Sequence, residues 1–150
     1  MARRPLVCRA LGVVVMRQIS LFGATGSIGD NTLDLIARHE DKFSLFAASA
    51  NRNAEKLAEV ARVFSPTLLV IGDEAGRKKL HNALPDFDGD ILVGADGLAQ
   101  MAGVKTDLAI MAIVGFAGLV PSLICATQGG ALALANKEVL VAGGTQLTQL

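Results

Sequence analysis

The stretch Gln18-Ile19-Ser20-Leu21-Phe22-Gly23-Ala24-Thr25-Gly26-Ser27-Ile28-Gly29 decides how this chain is read. An apolar run of strand length, Gln18 to Phe22, passes directly into three glycines spaced GxxGxxG, and helical spacing then runs from Ile28 to His39. A strand that turns into a helix through glycines aims backbone N–H groups at whatever sits over the helix N-terminus, and an anion is favoured there. Gly23 permits the tight turn, Gly26 lets the backbone approach a pyrophosphate, and Gly29 lets the helix pack closely on the sheet. Thr25 and Ser27 add hydroxyl donors, and Ile28 opens the helix. No Gly-Lys-Ser/Thr follows, so a P-loop and its phosphate-binding lysine are excluded.

Working outward, strand-length apolar runs alternate with helical stretches: Gln18 to Phe22, Phe43 to Ala48, Thr67 to Ile71, Asp90 to Val93, Leu108 to Ile113 and Ala131 to Leu134. The first helix presents Ile28, Leu33, Leu35 and Ile36 as its apolar positions. The second, from Asn53 to Phe64, has Asn53 as its cap, Leu57, Val60, Ala61 and Phe64 on one face, and Ser65-Pro66 as its stop. Repeated βα units require right-handed crossovers and a parallel sheet. The fold class is therefore α/β, a Rossmann-type doubly wound, mostly parallel sheet with helices on both faces and ligands at the carboxyl ends of its strands. Leu108 to Val120 is apolar throughout, but its thirteen residues fall short of a membrane span of roughly 20. A buried central strand and its following loop account for it.

Composition agrees. Hydrophobic residues make up 51% of the chain but aromatics only 4%, so Ala, Val, Leu and Ile must fill the interior, as suits parallel strands covered on both faces. Fourteen basic residues balance fourteen acidic ones, which leaves no global field to attract nucleic acid or an anionic membrane. Cys8 and Cys125 lie outside any CxxC spacing, so no disulfide framework or zinc site is expected, and a cytoplasmic setting follows. Arg3, Arg4, Arg9 and Arg17 meet no acid until Asp30. Residues 1–16 read as a disordered extension ahead of a start at Met16, with a plastid transit fragment the less favoured alternative.

The end of the second strand bears on cofactor choice. NAD-binding chains place an acid about 20 residues past the glycines, on the ribose 2′-hydroxyl. Here the chain reads Ser49-Ala50-Asn51-Arg52-Asn53, with no acid until Glu55. Arg52 offers a charge-assisted fork to a 2′-phosphate, with Ser49 and Asn51 as neutral donors, so NADPH is favoured over NADH. Ala112-Ile113-Val114-Gly115-Phe116-Ala117-Gly118 and Asn136-Lys137-Glu138 also leave strands on the ligand side. Locally Asn136 is an N-cap, Lys137 a surface cation and Glu138 a first-turn acid. His39 and His81 lack metal-ligand spacing and read as solvent-exposed. Asp86, Asp88 and Asp90 read as a turn into the fourth strand, because the bidentate Glu of a calcium loop is missing.

Gly-Ala-Thr-Gly-Ser-Ile-Gly, Ala-Asn-Arg-Asn, Ala-Ile-Val-Gly-Phe-Ala-Gly-Leu and Leu-Ala-Asn-Lys-Glu, in that order, closely resemble the 1-deoxy-D-xylulose-5-phosphate reductoisomerases over about Arg17 to Gly144. The resemblance implies an NADPH-dependent rearrangement and reduction to 2-C-methyl-D-erythritol 4-phosphate in non-mevalonate isoprenoid synthesis. It implies that Thr25, Gly26, Ser27 and Ile28 hold the pyrophosphate and that Arg52 and Asn53 hold the adenosine phosphate. Ala112, Ile113 and Val114 would lie along the cofactor, and Asn136, Lys137 and Glu138 near the nicotinamide and the phosphorylated sugar substrate. Asn51 stands where the family usually has glycine, a departure a left-handed Asn could tolerate.

The resemblance also implies Mg²⁺ or Mn²⁺ and a homodimer for the full-length protein. The metal's carboxylate cluster is missing from this sequence, so the chain is expected to bind NADPH weakly and to turn over nothing by itself, and residues 145–150 read as a truncated tail. A freestanding NADP-binding module stays open as an alternative. Other NADP reductases fit less well, since a short-chain dehydrogenase needs a Tyr-x-x-x-Lys pair and the chain has no Tyr.

Overall fold

The computed structural model describes residues 15–148, with side chains described over 15–144. The expected extension over residues 1–16 thus lies, up to residue 14, outside the described residues, as do residues 149 and 150. The elements run β1 (Arg17–Phe22), α1 (Ser27–Arg38), β2 (Phe43–Ser49), α2 (Ala54–Phe64), β3 (Leu68–Ile71), α3 (Glu74–Ala83), β4 (Asp90–Val93) and α4 (Gly94–Gly103). They continue with β5 (Leu108–Met111), a 3₁₀ turn (Gly115–Gly118), α5 (Leu119–Thr127), β6 (Ala131–Leu134) and α6 (Lys137–Thr148). Because α6 continues to Thr148, the expected tail from 145 begins inside a helix, and 144 is not an element boundary.

The strands form one sheet in the order β4-β3-β2-β1-β5-β6, and every neighbouring pair is parallel. The chain winds outward from β1 in one direction, then returns to β1's other side with β5. The carboxyl ends of β1 and β5 therefore flank the point where strand order reverses, the position at which such sheets open a crevice.

Side chains alternate between two cores. On one face Ile19, Leu21, Leu45, Ala48, Leu69 and Ile71 meet Leu33 and Ile36 of α1, Leu57, Val60 and Ala61 of α2, and Leu80 of α3. On the other, Phe22, Ala47, Leu68, Val70, Ala109 and Met111 meet Met101 and Ala102 of α4 and Cys125 of α5. Burying a side chain as completely as Leu57 contributes about 1.5–3 kcal/mol. One irregularity breaks the alternation: Ile19 pairs with Leu45 but Ser20 pairs with Ala47, so Phe46 is an extra residue in β2. Phe46 and Ala47 consequently serve the same core.

Several expectations need correction. The strand read as Leu108 to Ile113 ends at Met111: Ala112 N–H makes a last bond to the Phe22 carbonyl at 2.8 Å, and the chain leaves the ladder after it. The loop and helix after it carry Val114, Phe116 and Val120 to the surface. On α1, Ile28 and Leu35 are exposed, and Gly29 and Thr32 complete the buried face with Leu33 and Ile36. His81 is exposed as expected, whereas His39, at the C-cap of α1, is half-buried. The second helix is as read: the Asn53 side chain accepts from Lys56 N–H at 3.0 Å, and Ser65 stops the helix in a left-handed turn at φ 48°. Asp86 lies in a turn and Asp90 opens β4.

Candidate functional site

Loops from four neighbouring strand ends form a continuous rim over the switch point. The glycine loop after β1 rests on β2, where Ala24 N–H donates to the Ser49 carbonyl at 2.7 Å and Gly23 N–H to the Ser49 hydroxyl at 3.0 Å. On its other side Ala112 N–H bonds Phe22, and Ala135 N–H reaches the Met111 carbonyl at 3.0 Å. Residues 23–29, 49–53, 112–115 and 135–138 are thereby gathered at one end of the sheet.

The three glycines differ in what requires them. Gly23 has φ +87°, and a Cβ there would stand 2.7 Å from the Ala112 carbonyl oxygen. Gly29 has ordinary helical geometry, but a Cβ would stand 2.5 Å from the Ala24 carbonyl oxygen. Both are demanded by the protein's own backbone. Gly26 is not: its φ of −89° and ψ of 178° suit any residue, and a Cβ would meet only Gly23 O, at 4.0 Å. It is also exposed, and it occupies the N-cap of α1, where no side chain caps the first turn. The free space beside Gly26 and the absence of a side-chain cap leave the helix start open to close approach, and the N-terminus of a helix favours an anion.

The other expected residues divide into those facing the rim and those beneath it. Thr25 is half-buried, Ser27 and Ile28 are exposed, and Asn51, Arg52 and Asn53 form an exposed turn between β2 and α2. Ser49 does not join them. It is 2% exposed, and its hydroxyl supports the turn at Gly23 from below, so it braces the glycine loop where a free donor had been expected. Asn51 needs no left-handed backbone, since Ser65 is the only non-glycine residue with positive φ among the described residues. Glu55, the first acid after the turn, ion-pairs with Lys79 of α3 at 3.6 Å. Its carboxyl is held below the ordinary range, chiefly by a backbone hydrogen bond at the helix start and then by Lys79.

Asn136 is buried and fully engaged. Its Nδ2 donates to the Ile113 carbonyl at 2.6 Å and the Gly115 carbonyl at 2.8 Å, while its Oδ1 accepts from Glu138 N–H at 2.9 Å. The cap expected from sequence is thus also a tie that fixes the exit of β5. Ala112 and Ile113 are half-buried at that exit, Val114 is exposed, Lys137 is exposed and Glu138 is half-buried.

Sequence reasoning missed Lys56. From the first turn of α2 its ammonium reaches both carboxylate oxygens of Asp30, at 2.7 and 2.8 Å, and the Thr25 carbonyl at 3.2 Å. The signal was too weak to read, because the partners lie 26 and 31 residues away on another helix and loop.

Residues 19–144 match the family model described as 1-deoxy-D-xylulose 5-phosphate reductoisomerase. Relatives with that description from Chlorobaculum tepidum and Gloeobacter violaceus are 41% and 43% identical to the chain, over 90% and 86% of its length. Those alignments span 36% and 34% of the relatives, so the chain covers about a third of their length. Among solved structures, the Zymomonas mobilis reductoisomerase in complex with NADPH superimposes with a TM-score of 0.85 at 39% identity, covering 89% of this chain and 35% of that one. A DOX-P reductoisomerase in complex with NADPH, fosmidomycin and magnesium gives a TM-score of 0.84 at 34% identity, covering 89% and 33%.

Proposed function

This chain belongs to the 1-deoxy-D-xylulose 5-phosphate reductoisomerase family, and on that premise we propose that its residues 17–144 are the NADPH-binding part of such an enzyme. The observation that carries the reading is the unfilled space at Gly26, over the uncapped start of α1 and beside the strand-order reversal. NADPH, when bound, supplies the hydride that reduces the rearranged sugar phosphate to 2-C-methyl-D-erythritol 4-phosphate. The chain's own residues bind and orient it: Thr25, Gly26, Ser27 and Ile28 cradle the pyrophosphate through backbone N–H groups, while Gly23 and Gly29 shape the loop that presents them. Arg52, with Asn51 and Asn53, takes the 2′-phosphate, and Ser49 supports the loop from beneath. Ala112 and Ile113 line the path toward the nicotinamide, Asn136 sets their position, and Lys137 and Glu138 face the nicotinamide and substrate.

Among the described residues no group of three or more His, Cys, Asp or Glu could hold a metal ion. These residues do not fit the Mg²⁺ or Mn²⁺ expected for the family. We assign to the 150 residues the holding of the hydride donor, without turnover by themselves. The whole protein is proposed to act on a phosphorylated sugar as a homodimer in the cytoplasm, a reducing setting that suits the buried free thiol of Cys125. Among the described residues no helix is long and apolar enough to cross a membrane. Titrating NADPH into isotopically labelled protein tests the assignment. Amide shifts at residues 24–29, 51–53 and 112–115 are expected, and saturating shifts confined to other regions would overturn it.

A further inference from the structure

Lys56 joins two parts of the rim that the sequence keeps apart. It is the third residue of α2, directly after the Arg52-Asn53 turn, and its ammonium spans to the Asp30 carboxylate and the Thr25 carbonyl of the glycine loop. An exposed ion pair usually contributes little to stability. This one has a placement that gives it another role. Asp30 sits in the first turn of α1, where a carboxylate is favoured by the helix dipole but competes with any anion brought to the same N-terminus. Because Lys56 touches Asp30 and Thr25 together, the ion pair lies against the glycine loop, and the Lys56 side chain remains one-third exposed. No other ion pair among those described reaches the glycine loop: Arg38 pairs with Asp34, Arg77 with Glu74, and Lys79 with Glu55.

Resting on the cofactor reading above, we propose that Lys56 is a positioning residue of the dinucleotide site, which cancels the charge of Asp30 so that the glycine loop accepts a pyrophosphate. Removing the ammonium leaves an unpaired carboxylate beside the incoming anion, a repulsion that weakens with salt. Removing the carboxylate leaves a free cation beside it, an attraction. A purely mechanical tie would lose affinity in both cases.

Calorimetric titration of NADPH into the 150-residue chain and its K56M, D30N and K56M/D30N variants separates these. We expect K56M to bind about tenfold more weakly at low salt, with the deficit shrinking at high salt, and D30N to bind at least as tightly as the parent chain. The double variant should return to within about threefold of the parent chain. Unchanged affinity in K56M, or weakened affinity in D30N alone, overturns the proposal while leaving the cofactor reading intact. Failure of the parent chain to bind NADPH overturns the cofactor reading, and this inference with it. Should K56M fold poorly, D30N decides by itself, since charge cancellation and mechanical support predict opposite changes for it.

Discussion

Substituting alanine for each of the three loop glycines should separate folding from binding. At Gly29 the added methyl would stand 2.5 Å from the Ala24 carbonyl oxygen and 2.6 Å from the Gly23 carbonyl oxygen. Neither is the end of a flexible side chain, so the start of α1 must move off the strand. Overpacking costs about 1–3 kcal/mol, and a 2.5 Å contact with backbone places this site in the upper part of that range, about 2–3 kcal/mol. Alanine's helix propensity returns up to about 1 kcal/mol, so the clash prevails and a net loss of about 1–2 kcal/mol remains. Gly23→Ala adds a left-handed φ of +87° to a 2.7 Å contact with Ala112 O, and should cost more, about 3 kcal/mol. At Gly26 the backbone is already extended and nothing but Gly23 O, at 4.0 Å, lies near the methyl. The weaker N-cap preference of alanine and the reduced freedom of the unfolded chain then nearly cancel, leaving stability within about 0.5 kcal/mol. A domain of this size shifts its midpoint by roughly 4 °C per kcal/mol, so thermal unfolding resolves the series. NADPH affinity should show the converse for Gly26→Ala, a loss of about tenfold or more as the methyl holds the pyrophosphate off the N–H groups. Unaltered NADPH affinity in Gly26→Ala, or an unshifted midpoint in Gly29→Ala, would refute the assignment of these roles.

Three further outcomes follow from neighbouring residues. Arg52→Met should weaken NADPH binding about tenfold or more and leave NADH binding unchanged, since a charge-assisted contact to the 2′-phosphate contributes about 1.5–3 kcal/mol; calorimetry with both nucleotides checks it. Asn136→Ala should destabilise the fold by about 1–3 kcal/mol in denaturant titration, because the Ile113 and Gly115 carbonyls lose their donor and α6 its cap. Burial pushes the Cys125 thiol from its ordinary 9.0 up to about 11. The unfolded chain then loses this proton first, so the contribution is fully present below pH 9.0 and is lost as pH rises toward about 11. Urea midpoints for the parent chain and Cys125→Ala should therefore converge across that window, and parallel curves would contradict the burial.

Much of the architecture was legible because local pattern and global fold agree. The GxxGxxG turn fixed a strand-to-helix junction, and strand-length runs of Val, Leu and Ile between helical periods left parallel βα winding as the consistent solution. The ends of elements were less legible. Apolar Ala112 and Ile113 look like strand, but the chain leaves the ladder at Met111. The bulge at Phe46 is invisible because Phe46 and Ala47 are both apolar. At the rim, residue types suggested ligand contacts at Ser49 and Asn136, and the structure shows both side chains engaged with the protein's own backbone. A hydroxyl or amide serves either purpose, and only the fold decides which partner is nearer. Lys56 and Asp30 were hidden for the complementary reason, since each alone is an ordinary first-turn residue of an amphipathic helix.

The proposed role of this chain is to hold NADPH at its glycine loop and to distinguish it from NADH at Arg52. Calorimetric titration of both nucleotides into the 150-residue chain tests it most directly. One site per chain is expected, with NADPH bound about tenfold or more tightly than NADH. Equal affinities, or no binding of either nucleotide, would contradict it.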